Sequence, residues 1–472
     1  MEQTNQKGQW GSKFGFLMAA VGSAVGLGNL WGFPYKMGVG GGFAFLLIYL
    51  VMVALVGVVI LLAELALGRK TGKGVIASYR ELGNKYTFIG WMSWLSPVLI
   101  LGFYSMLGGY CIKYAVANIG DLFGASWGVN GMASADYFHG FYTDPVQTVA
   151  YTVLFVFLTV FIVRVGVSKG IEKFSTVAMP ALFVMLVIII VRSVTLPGAS
   201  EGLAFVFKPN FDVFKGTGWI TVLAKAGGQM FFSLSLGMAI MVTYGSYMKK
   251  DDDLQQNAVI IPIADTIIAV MAGMAIMPAV FASGLDPAGG PGLLFITLQT
   301  VFQAMGSLGP IFGFMFYTLV FIAAITSSIS LVEAVSSAIM DRAIAKNKPV
   351  NRTKISMAVG VFVALEGALV AVDGLGENGL PHILGQGTLL DAFDLVSEGL
   401  FMPIAALLTA IIFGWIKPGW LDDEVKNLGE TTENSFKMKS YFQFCIKWIV
   451  PPVMLLVLAG QVDSFFGLGW FN

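Results

Sequence analysis

The sequence predicts an all-α integral membrane protein of eleven transmembrane helices, ten of them in two inverted five-helix repeats (5+5) with helices 1 and 6 broken at mid-membrane. Three observations predict it. Charged residues make up only 12% of the 472, about half the share of a soluble domain. The apolar residues fall into eleven runs of at least about 17 residues, the helical length that spans a hydrocarbon core. Two of those runs, five apart in order, are interrupted at their centres by Gly, Ser and Asn.

The first run, 14–35, carries no formal charge and follows a short polar segment, Met1 to Ser12, without a small-residue cleavage site, so it reads as a retained helix. The second, 42–67, leads into Arg69, Lys70, Lys73, Arg80 and Lys85. The third, 88–117, precedes the fourth, 146–163, which leads into Arg164, Lys169 and Lys173. The fifth, 177–194, precedes the broken sixth, 218–247, which ends at Lys249 and Lys250. The seventh, 259–281, precedes the eighth, 311–339, followed by Arg342, Lys346, Lys348, Arg352 and Lys354. The ninth, 355–372, precedes the tenth, 389–413, followed by Lys417, Lys426, Lys437 and Lys439; the eleventh is 446–462. Basic residues thus mark alternate loops and, with Lys7 and Lys13, place the N-terminus in the cytoplasm and the C-terminus outside, in a plasma (inner) membrane.

Net charge is zero with no detached basic tract, which gives nucleic acid no footing. Two cysteines, Cys111 and Cys445, make neither a disulfide framework nor a metal site. With no interdomain linker, the chain reads as one membrane domain, 1–472: a first repeat at 1–196, a second at 218–416, and helix 11 at 440–465.

The octet Gly22-Ser23-Ala24-Val25-Gly26-Leu27-Gly28-Asn29 is a helix built to break. Each glycine disfavours helix by about 1 kcal/mol relative to alanine, and a carbonyl freed at mid-membrane needs protein, ion or water to satisfy it. Gln229 to Met238, with Ser233, Ser235 and Gly237, repeats the pattern in run six. Small residues in one helix alone would equally signal close packing. A matched pair is the sequence sign of a secondary transporter with its site at the midplane.

At this point the chain resembles the neurotransmitter:sodium symporter family. The resemblance is carried by Gly22 to Pro34, Glu64-Leu65-Ala66-Leu67-Gly68-Arg69, Phe103-Tyr104, Glu172-Lys173-Phe174 with Met179-Pro180, Gln229 to Tyr247, and Ala323 to Ser328. It implies a LeuT-type 5+5 inverted repeat, in the family's shorter, eleven-helix bacterial branch. It also implies two co-transported sodium ions. One would sit among Ala24, Asn29, Ser233 and Asp265, or Ala264 if the register slips by one; an intramembrane carboxylate is expensive and usually functional, which favours Asp265. The other would use Gly22, Val25, Ala323, Thr326 and Ser327, although Thr and Ser in an apolar helix also bond back to their own carbonyls.

For the substrate, the resemblance implies carboxylate recognition by amides near Leu27 and Gly28 and by Tyr104. Ammonium recognition would come from Ala24, Phe232, Ser233 and Ser235. Ile100, Phe232, Met238, Ser327 and Leu331 would line an apolar side-chain pocket, with Gly26 leaving room. An aspartate at Gly26 would mark an amine transporter; glycine there implies a substrate that brings its own carboxylate. Ala269 occupies the place of a chloride-binding serine or compensating glutamate, so Asp265 would supply the negative charge and chloride would be dispensable.

Relatives close each side with an ion pair. The inner one would be Lys7 with Asp341, assisted by Trp10 and Tyr247. The outer side would close through Tyr104, Phe232 and Asp394, but the arginine expected opposite Asp394 is Gly32, leaving Lys36 or Lys225 to replace it. Glu64 is expected to cap amides freed in helix 6, and the Gly170 to Pro180 spacing to weaken the inner end of helix 5.

The sequence therefore points to sodium-coupled, chloride-independent symport of a neutral, hydrophobic L-amino acid, with no organic cofactor and no obligate protein partner. Symport of another zwitterion (taurine, a betaine, a β-amino acid) and a non-transporting amino-acid sensor are the alternatives. An enzyme is not indicated: His139 and His382 lie in predicted outer loops, without a nucleophile–base constellation.

Overall fold

The computed structural model describes residues 8–287, 290, 292–426 and 435–471, all helix, turn and loop, with no strand among them. Nine helices are long and apolar enough to cross a membrane, and a tenth span is a pair bent by 45° at its break. In chain order, α1 is that pair, Lys13–Ala24 and Gly28–Val39; α2 is Phe43–Thr71; α3 is Asn84–Leu122; α4 is Pro145–Val163; α5 is Val167–Val194. α6 consists of two shorter pieces, Gly218–Ser233 and Ile240–Gly245. α7 is Leu254–Ala282, α8 Gly306–Ala345, α9 Arg352–Val372, α10 Leu389–Ile416 and α11 Lys439–Phe466.

Local chemistry sets the boundaries. Ser12, Asp144, Asp253, Asn351 and Thr388 cap helix N-termini through side-chain oxygens that accept amides of the first turn. Gly72 ends α2 in the left-handed conformation, φ 63°. The second piece of α6 lies directly on α2. A Cβ on Gly68 would stand 1.9 Å from the Val242 carbonyl, and one on Gly245 2.4 Å from that of Leu65, so this crossing requires glycine on both helices.

The core is formed by α3 and α8 packed directly on one another, with the first half of α1 and the second half of α6 against α8. α4, α5, α9 and α11 turn large apolar side chains outward, among them Phe157, Val177, Val361, Leu365 and Leu455, as a lipid-facing surface requires. The start of α5 is wound from Val167 through Pro180, first as a π-turn and then as α-helix. Glu172 ties this turn to the start of α1: its carboxylate accepts the Gly11 amide at 2.7 Å and the Ser12 hydroxyl at 2.8 Å.

Candidate functional site

In α1 the helix stops at Ala24 and resumes at Gly28, leaving Val25 to Leu27 between. In α6, Leu234 to Ala239 are non-helical, and Ser235 (φ 55°), Gly237 (72°) and Ala239 (68°) are left-handed. Two non-glycine residues held in that region cost about 1–3 kcal/mol each. Glu64, buried in α2, accepts the Gly237 amide at 2.8 Å, as expected of a cap. The two breaks meet: the Ser23 and Ser235 hydroxyls are 3.3 Å apart.

Asp265 is fully buried and faces these breaks from α7, whereas Ala264 is only half-buried. Its Oδ1 accepts the Asn29 amide at 2.7 Å. Ser233 Oγ lies 3.0 and 2.9 Å from its two oxygens, and Tyr49 donates to Oδ2 at 3.2 Å. All three partners are neutral, and no Lys or Arg reaches the carboxylate among the described residues. Asn29 Oδ1 accepts the Gly26 amide at 3.1 Å and keeps a second lone pair. Oxygen ligands around one uncompensated charge suit a hard monovalent cation.

A second oxygen cluster lies where α8 passes α1. Ser327 Oγ donates to the Ser23 carbonyl at 3.0 Å and lies 3.4 and 3.5 Å from those of Gly22 and Val25. Thr326 Oγ1 is 3.0 Å from both the Ile322 and Ala323 carbonyls of its own helix. Back-bonding uses the hydroxyl proton and leaves oxygen lone pairs free, so it does not conflict with cation ligation. The Gly22 Cα stands against Thr326, since a Cβ there would lie 3.4 Å from the Thr326 Cβ.

Beside these clusters a small cavity is lined by Ala24, Gly26, Gly28, Ile100, Tyr104, Phe232, Ser235, Met238, Ser327 and Leu331, with Ser23 and Ile240. Its volume of about 20 Å³ has room for about one water. The walls are therefore drawn together, and any larger occupant must part them. Leu27 and Ser233 are absent from the lining: Ser233 turns to Asp265, and the Leu27 amide, expected to be free, donates to Tyr104 Oη at 3.1 Å. Phe232 covers Gly28, where a Cβ would lie 2.8 Å from its ring. The Phe232 and Tyr104 rings are 6.4 Å apart.

At the end of the bundle where α1 begins, Trp10 is buried, donating through Nε1 to the Tyr244 carbonyl at 3.1 Å and through its amide to that of Tyr247 at 3.4 Å. Tyr247 donates to Glu333 at 2.6 Å, and Glu333 pairs with Arg352. Asp341 accepts the Gly74 amide at 2.5 Å; Lys7, its expected partner, lies outside the described residues. Lys36, one of the two cations expected in place of that arginine, pairs with Glu398, one turn beyond Asp394 on α10. A side chain at position 32 would meet the end of the Gln229 side chain, whose Oε1 lies 2.8 Å from a Cβ there and would have to move aside. Sequence reasoning missed Tyr49, Glu333, Arg352 and Glu398. The three charged residues carried a usable signal, being ionisable groups in or beside apolar runs; Tyr49 carried none.

The profile of the Sodium:neurotransmitter symporter family matches residues 7–128 and 143–470. An uncharacterized sodium-dependent transporter of Bacillus subtilis is 35% identical over 96% of this chain and 97% of its own length. One from Haemophilus influenzae is 32% identical over 97% and 98%. Among solved structures, MhsT in complex with L-phenylalanine superposes with a TM-score of 0.85 at 36% identity, covering 96% of this chain and all of that one. With the broken α1 and α6 facing one another across the cavity, these matches establish that the chain is a sodium-dependent membrane transporter and belongs to the sodium:neurotransmitter symporter family.

Proposed function

We propose that this protein couples sodium entry to uptake of a neutral, hydrophobic L-amino acid across the plasma membrane by alternating access, without chloride. The observation that carries the reading is the buried Asp265 carboxylate, held only by neutral donors of α1, α2 and α6 beside a cavity walled by Ile100, Phe232, Met238 and Leu331. One sodium ion sits at Asp265 with Asn29, Ser233 and Ala24. The second sits at Thr326 and Ser327 with carbonyls of Gly22, Val25 and Ala323. The substrate carboxylate displaces Tyr104 Oη from the Leu27 amide and completes the first sodium shell. Sodium and substrate then raise one another's affinity by the same factor. Asp265 supplies the negative charge that chloride would otherwise bring.

The amino acid bound to MhsT, L-phenylalanine, supports an apolar substrate; methionine at 238 makes the pocket adaptable. The repeats at 1–196 and 218–416 rock against one another about the two breaks, with the N-terminus cytoplasmic and the C-terminus outside. Binding of the twenty amino acids, taurine and glycine betaine to purified protein in sodium and then in potassium tests this. Hydrophobic amino acids bound only in sodium support it; sodium-independent binding, or none, refutes it.

A further inference from the structure

Two apolar grooves open on the lipid-facing surface on either side of α4. The larger, about 490 Å³, runs between α4, α5 and α8 from Lys169 and Lys173 past Phe174 and Val177 to Ala181 and Ile322. The smaller, about 220 Å³, runs between α4 and α9 and ends at Arg164. Phe161 forms a wall of both, and the Arg164 guanidinium lies 4.3 Å over its ring. The described lining of both grooves contains three cations and no acid. Lys169 and Lys173 are exposed, four residues apart on one face of α5, and neither makes an ion pair. Glu172, the nearest acid in sequence, turns inward to Gly11 and Ser12.

We propose that these grooves hold one anionic diacyl phospholipid of the cytoplasmic leaflet. One chain lies along α5, where Lys169 to Ala181 spans about 18 Å at 1.5 Å per residue. The other lies between α4 and α9, and the phosphate is held by Lys169, Lys173 and Arg164. A single-chain ligand would leave one groove empty, and a zwitterionic headgroup would leave three cations facing a neutral surface. The assignment to the cytoplasmic leaflet rests on the orientation proposed above; the binding site does not.

Native mass spectrometry of the purified full-length protein, exposed to phosphatidylglycerol and phosphatidylcholine of identical chains, tests this without sodium or amino acid, so failure of the transport reading leaves it untouched. Phosphatidylglycerol is expected to be retained preferentially. Lys169→Gln with Lys173→Gln should weaken retention about fivefold per lysine, while Lys73→Gln with Lys85→Gln, before and in the first turn of α3, should not. Ala181→Phe, which keeps the cations and fills the groove, should also expel the lipid. Equal retention of both lipids, retention unchanged in Lys169→Gln/Lys173→Gln, or undiminished retention in Ala181→Phe would overturn the proposal.

Discussion

Asn29, just past the break of α1, donates its side-chain amide to Asp265 of α7 at 2.7 Å, across 236 positions of chain. The bond ties the resumed half of α1 to the buried carboxylate. Replacing Asp265 with Asn keeps the volume and removes the charge. Sodium affinity, followed by sodium titration of amino-acid binding, should fall at least about tenfold, equivalent to about 1.4 kcal/mol, and the residual binding should become sensitive to chloride. An unchanged sodium titration would show that Asp265 has no part in the site.

Gly26 is the tightest point of the cavity wall. A Cβ there would stand 2.4 Å from Ser327 Oγ and 2.6 Å from Tyr104 Oη. Gly26→Ala should reduce amino-acid binding by more than about tenfold while leaving the thermal transition in place. In a Ser327→Ala background, which itself weakens the second sodium site, the further loss on adding Gly26→Ala should be smaller, a coupling that a double-mutant cycle measures directly.

Glu64 holds the non-helical stretch of α6 through the Gly237 amide at 2.8 Å. Glu64→Ala leaves that buried donor without a partner and should cost about 1–3 kcal/mol of stability, seen as a lower melting temperature in detergent. Glu64→Gln keeps an acceptor oxygen and should lie between the variant and the wild type.

In the proposed transport cycle, closure of the outer side rests on the ion pair of Lys36 with Glu398. Lys36→Met should leave equilibrium binding within about threefold but slow uptake several-fold, because closure and not the pocket is impaired. Uptake and binding assayed on the same preparation separate these outcomes.

These residues also show how far the sequence could be read. The break in α1 was legible because Gly22, Gly26, Gly28 and Asn29 are costly in an apolar helix, and Asp265 because a lone intramembrane acid is rarer still. The tie between the start of α5 and that of α1 is not legible: Ser168, Lys169, Gly170 and Glu172 carry no apolar signal, and Glu172 meets Gly11 and Ser12, some 160 residues away, only in the fold. Tyr49 looks like any aromatic in an apolar run until the fold brings Asp265 to its hydroxyl. Asp394 drew attention from its neighbour Glu398 because the resemblance pointed to a position; the ion pair is set by where the Lys36 side chain reaches.

The most direct test of the central claim is uptake of a radiolabelled hydrophobic L-amino acid into proteoliposomes, under an imposed inward sodium gradient with gluconate as the sole external anion. Accumulation above equilibrium that collapses when the gradient is abolished, and falls sharply in Asp265→Asn, is the predicted result. Uptake that needs chloride, or that proceeds equally with potassium in place of sodium, would contradict it.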